Sequence, residues 1–126
     1  MIPLAVLMSR HIQKIPEDGS LFDASKIMRD MKIGSLLVER DQEYVGVLSE
    51  TDLVRRALAE GVDLKKTRVD SIMSTPIITI DINKSGMEAS ELMSDHRIRH
   101  LAVTEHGKIV GVISVRDLLI YFKNRF

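Results

Sequence analysis

Two serine–aspartate pairs are the residues best placed to do chemistry. Ser49 and Asp52 close the phrase GVLSETD (46–52), and Ser114 and Asp117 close its echo GVISVRD (111–117). A serine three residues ahead of an aspartate, at the end of an apolar run, is first of all a helix cap. The hydroxyl accepts from an orphan backbone N–H and the acid favours the positive end of the helix dipole. The same geometry suits a ligand. A helix N-terminus attracts anions, and a carboxylate beside it can accept from two hydroxyls of a ribose. The copies differ in one residue of consequence, Thr51 in the first and Arg116 in the second.

Other chemistries find less support. His96, His100 and His106 invite a metal site, but Arg97 and Arg99 crowd them and no carboxylate pattern completes one. With no cysteine there is no thiolate, no disulfide framework and no cysteine–zinc site. No glycine-rich phosphate loop or nucleophile with a partnered base is present, which weighs against an enzyme acting on nucleotides. Acid–base work by Asp52 would have to proceed beside hydroxyls rather than a second titrating group.

Charge and length narrow the class further. Lysine plus arginine number 18 and aspartate plus glutamate 18, a balance unlike that of a broad nucleic-acid surface. The opening MIPLAVLMSRH holds an apolar run too short for a membrane span and without the layout of a signal peptide. The reading is a cytoplasmic protein with no membrane or nucleic-acid partner. Its 126 residues suffice for one compact domain or two half-domains sharing a core.

The elements that must position the two pairs come as a tandem repeat. A shift of 65 residues aligns 8–58 with 73–123 without a gap, and eighteen of the fifty-one positions are identical. Chance would give roughly three. Each copy opens on a β-branched run, IQKI or IITI, that suits a strand. An amphipathic stripe follows, Leu21, Ala24, Ile27, Met28 and Met31 in the first copy, Met87, Ala89, Leu92, Met93 and His96 in the second. Box-like caps precede both, Ser20 with Asp23 and Ser85 with Glu88. SLLVE and YVGVLS, then HLAVT and IVGVIS, read as hairpins across the polar turns RDQE and EHGK. A last helix should turn Leu53, Val54, Ala57 and Leu58 inward, and Leu118, Leu119 and Phe122 in the second copy. The fold class is α/β (α+β), two pseudo-symmetric strand–helix–strand–strand–helix repeats over 1–62 and 63–126. Units of that size are marginal alone, so the two are expected to pack face to face.

With LMSRHIQKI and IMSTPIITI at the unit starts, RIRHLAV before the hairpin, and GVLSETDL and GVISVRDL before the last helix, the chain resembles the CBS domain family. The resemblance is to the tandem pair called a Bateman module, here stand-alone, since it covers nearly the whole chain. It implies a regulatory module that senses an adenosine nucleotide (AMP, ADP or ATP, with S-adenosylmethionine or NADH less favoured) in the cleft between repeats. No cofactor is required, and a homodimer acting on an unknown protein target is implied.

Carried onto this sequence, the resemblance makes Asp52 and Asp117 ribose acceptors of two pockets. Ser49 and Thr51 serve the first with hydroxyls and Ser114 the second. Ile98, Arg99 and His100 wall the Asp52 pocket, and Ile33, Gly34 and Ser35 the Asp117 pocket. Arg116 stands where the family usually has a hydroxyl residue. It either contacts phosphate or fills the pocket, so the Asp52 site is expected to be the stronger. The competing classes are a structural dimerisation module with empty pockets and, less favoured, a nucleotide-acting enzyme.

Overall fold

The structure is a computed structural model; it describes residues 2–125, with side chains up to residue 123. Its two hairpins show the repeat plainly. Strands β2 (Ser35–Arg40) and β3 (Glu43–Ser49) pair antiparallel, and β1 (Lys14–Pro16) adds to β2 in parallel. Strands β5 (His100–Glu105) and β6 (Lys108–Ser114) repeat this, with β4 (Thr79–Asp81) parallel to β5. Both turns are mirror-type, with positive φ at Asp41 and Gln42 and at His106 and Gly107. That twist matches a two-residue hairpin.

Helices α2 (Leu21–Met31) and α4 (Gly86–His96) connect the parallel strands. Ser85 and Glu88 form a complete capping box, and the backbone N–H of Ser85 holds the Glu88 carboxyl below the usual carboxylate range. Ser20 caps α2 through the N–H of Asp23, but the Asp23 carboxylate pairs with Lys26 at 3.3 Å instead of completing the box. Both helices end in a Schellman motif. Lys32 and Arg97 take the left-handed conformation, and the N–H of Ile33 and of Ile98 reaches back to Met28 and Met93. The chain thereby enters β2 and β5 at fixed points.

Two compact units divide the chain as 13–77 and as 1–12 with 78–126. Each sheet is completed by a run-in segment that precedes the other copy in sequence. In one unit Ser20 bridges Arg68 and Val47 bridges Ser74; in the other Ser85 bridges Pro3 and Val112 bridges Ser9. The short helix α1 (Leu4–Leu7) brings Leu4 into the core, and its counterpart Val69 opens a 3₁₀ turn, both fully buried. The glycines facing these segments are required by close approach. A Cβ on Gly46 would lie 2.6 Å from the Met73 sulfur, and one on Gly111 2.8 Å from that of Met8.

The cores are built from equivalent residues. Leu36, Val38, Leu48, Ala24 and Met28 fill one, and Leu101, Val103, Ile113, Ala89 and Met93 the other. The closing helices differ from the expected pattern. Leu53, Ala57 and Leu118 are buried, but Val54, Leu58 and Leu119 are exposed, as are Met31 and Met87. A helix laid on one sheet face can bury one stripe, and the neighbouring apolar positions fall outside it. After a first turn α3 (Glu50–Asp52), the segment Leu53–Leu58 is wound as a π-helix, whereas α5 (Val115–Arg125) is α-helical.

Candidate functional site

Each serine–aspartate pair sits where a β-strand becomes a helix, and in both copies it forms a capping arrangement. The Ser49 hydroxyl accepts from the Asp52 N–H at 3.1 Å, and the Ser49 N–H donates to Asp52 Oδ2 at 3.0 Å. The Ser114 hydroxyl accepts from the Asp117 N–H at 3.1 Å, and the Ser114 N–H donates to Asp117 Oδ2 at 2.8 Å. The first helical N–H of each is taken by a carbonyl from the segment that enters the sheet. Glu50 N–H donates to Gly34 O and Val115 N–H to Arg99 O.

The register then fixes what stands beside each carboxylate within its own unit. Ser35 pairs with Ser49, and His100 pairs with Ser114. So Ile33, Gly34 and Ser35 form a shoulder next to Asp52, and Ile98, Arg99 and His100 form one next to Asp117. Ile33 and Ile98 are held against their cores by the Schellman motifs. Thr51 and Arg116 occupy the second position of their helices and are exposed, as is Arg99; His100 is half-buried. The Arg116 guanidinium is therefore not part of the packed core.

The carboxylates differ sharply. Asp52 is 7% exposed, the one buried charged side chain among the described residues. Its Oδ1 accepts from the Ser74 hydroxyl at 2.9 Å and lies 3.9 Å from Arg56 Nη1. That guanidinium also donates to the Met73 carbonyl at 3.1 Å. At half-buried Asp117 the Ser114 hydroxyl and N–H both fall on Oδ2, at 3.0 and 2.8 Å. Ser9, the counterpart of Ser74, instead accepts from the His11 N–H, and Tyr121 stands where Arg56 would be.

A family model for the CBS domain matches residues 5–59 and again residues 69–124. The chain belongs to the CBS domain family. Its two CBS domains correspond to the two sequence copies, and a mixed α/β fold with two three-stranded sheets is shared with solved CBS-domain structures. An uncharacterized conserved protein from Pyrococcus horikoshii is 32% identical with a TM-score of 0.90, covering 98% of this chain and 94% of that one. A hexameric CBS-CP12 protein from bloom-forming cyanobacteria is 30% identical with a TM-score of 0.85, over 94% of this chain and 71% of that one. Among curated relatives, the mitochondrial CBS domain-containing protein CBSX3 of Arabidopsis thaliana is 31% identical over 107 residues. That alignment takes in 81% of this chain and 52% of CBSX3, so the chain spans about half the length of that relative.

Ser74 and Arg56 were not singled out by the CBS motif, although both touch or approach its aspartate. The serine is visible in the sequence only as one of the identities between copies, Ser9 with Ser74, and Arg56 reads as a solvated surface charge. Among the described residues no group of three His, Asp or Glu could hold a metal ion, and no helix is long and apolar enough to cross a membrane.

Proposed function

We propose that the protein is a regulatory module that binds an adenosine nucleotide, AMP, ADP or ATP, and passes the bound state to its own assembly or to a protein target. Asp52 and Asp117 are the ribose acceptors, assisted by the hydroxyls of Ser49, Thr51 and Ser114. Arg99, His100 and Arg116 face the phosphate, because guanidinium and imidazole donors suit its oxygens. Ile33, Gly34, Ser35 and Ile98 supply backbone groups and apolar surface for the base. The observation that carries this reading is the duplicated junction. In both copies a serine hydroxyl, a carboxylate and a helix N-terminus converge beside a shoulder fixed by the sheet register. The serine hydroxyls there are engaged with the aspartates of their own units, an arrangement that suits binding. The family membership points the same way.

Exposed apolar side chains on the closing helices, Val54, Leu58, Leu119 and Ile120, favour self-association. A homodimer in the cytoplasm is the simplest form, although the CBS-CP12 relative is hexameric. A purely structural module is the second reading, and the commitment of both Asp52 oxygens to donors of its own unit favours it.

Calorimetric titration with AMP, ADP and ATP separates the two, combined with thermal unfolding. At a free nucleotide concentration one hundred times Kd, stabilisation is expected to be about 2.7 kcal/mol, several degrees in Tm. Absence of both heat and shift for all three nucleotides would leave the structural reading. Turnover of the bound nucleotide would instead establish an enzyme.

A further inference from the structure

We infer that Ser74 and Arg56 form a latch on Asp52, so that the Asp117 junction takes the first nucleotide and the Asp52 junction is the weaker site. This rests on the nucleotide-binding reading and reverses the order expected from Thr51 and Arg116.

To accept from two vicinal hydroxyls, a carboxylate must offer lone pairs that its own fold has not filled. At Asp52 the donors are spread over both oxygens, with Ser49 N–H on Oδ2 and Ser74 hydroxyl on Oδ1 at 2.9 Å. The Arg56 guanidinium stands 3.9 Å from the same Oδ1 and is anchored by its 3.1 Å bond to the Met73 carbonyl. The neighbouring Ser74 backbone is itself tied to Val47 by a reciprocal pair of 2.8 and 3.0 Å. Serine and arginine are thus held in place on a carboxylate that is 7% exposed. A sugar entering there must displace the hydroxyl and find room beside the cation.

The second copy keeps the serine but not the guanidinium. Tyr121 replaces the guanidinium of Arg56, and Ser9 is bent back to accept from the His11 N–H at 3.2 Å. Both Ser114 donors meet Asp117 on Oδ2, and the residue is half-buried rather than buried. The asymmetry therefore lies in the run-in segment and a second-turn residue of the closing helix, outside the serine–aspartate phrase itself. Ser74 and Arg56 act as positioning residues. They set the affinity of one junction by competing for its acceptor.

The test is a calorimetric AMP titration of the full chain as wild type, Ser74→Ala, Ser74→Ala with Arg56→Gln, and Asp117→Ala. Amide hydrogen exchange of residues 72–77 serves as a readout that needs no nucleotide. The wild type is expected to show a tight phase that Asp117→Ala removes. Ser74→Ala should tighten the weaker phase by about tenfold or more, the worth of one hydrogen bond to a charged acceptor. It should also speed exchange in 72–77, and the double variant should go further on both readouts. A tight phase that survives Asp117→Ala, or AMP binding that weakens in Ser74→Ala, overturns the latch while leaving nucleotide binding intact. Unchanged weak-phase affinity in a folded Ser74→Ala overturns it too. No heat in any of the four proteins overturns the nucleotide reading, and the latch falls with it.

Discussion

Gly111→Val is expected to unfold the protein under conditions in which the wild type is fully folded, and Gly111→Ala to cost about 1–3 kcal/mol. A methyl group at Gly111 would lie 2.8 Å from the Met8 sulfur and 2.8 Å from the backbone oxygen of Ser9. The sulfur belongs to a flexible side chain and can move. The carbonyl cannot, because Ser9 and Val112 exchange both backbone hydrogen bonds at 2.9 Å. Relief of the clash therefore means lifting the run-in segment off β6, and with it the fully buried Leu4. Burying a leucine is worth roughly 1.5–3 kcal/mol, so the valine forfeits the segment's docking as well as its contact. Gly61→Asn is the control, since that glycine has φ +70° but open space around it, and asparagine tolerates that conformation. Urea unfolding checks the comparison. Gly111→Ala as stable as the control would show that the run-in segment is not packed against β6.

Loss of the two site aspartates is expected to affect stability unequally. Asp52→Ala removes a cap and leaves the Ser49 N–H and the Ser74 hydroxyl unpaired beside Arg56. The sum is about 2–4 kcal/mol, combining a cap of about 1 kcal/mol with a buried donor left unsatisfied. Asp117→Ala loses the reciprocal bonds with Ser114 in a half-buried setting, about 1 kcal/mol. Chemical denaturation of both variants without nucleotide measures the difference. Equal losses would mean that Ser74 and Arg56 contribute nothing to holding Asp52. The order also bears on function. An acceptor that its own unit needs for stability is a poorer acceptor for a ligand.

Much of the fold could be read from particular residues. The 65-residue shift placed both hairpins, because identities such as Gly46/Gly111 and Ser49/Ser114 mark a close backbone approach and a strand end that packing cannot vary, while β1 and β4 lie a residue or two beyond IQKI and IITI. Helix caps were legible for the same local reason. What escaped depended on tertiary contact. Val54 and Leu58 have the spacing of a buried stripe, yet only Leu53 and Ala57 meet the sheet. Nothing in the sequence of Leu53–Leu58 announces a π-helix. The make-up of the compact units was hidden as well. Pairing of Val112 with Ser9 and of Val47 with Ser74 joins segments that no periodicity connects. At the candidate site, the serine–aspartate spacing was visible because it is a local cap. Ser74 was not, since it reaches Asp52 from 22 residues away. Arg116, which looked like the source of asymmetry, is exposed. The donors around the two carboxylates differ as well.

Ribose capture by a carboxylate is the central claim, and a paired titration with AMP and 2′,3′-dideoxy-AMP tests it most directly. The two ligands share base and phosphate and differ only in the hydroxyls that Asp117 would accept from. Wild-type protein is expected to bind the dideoxy compound at least about tenfold more weakly, since each hydrogen bond to a charged acceptor is worth about 1.5–3 kcal/mol. Asp117→Ala is expected to lose that preference and bind both weakly. Equal affinity of the wild type for the two nucleotides would contradict the claim, and the serine–aspartate pairs would then be helix caps and nothing more.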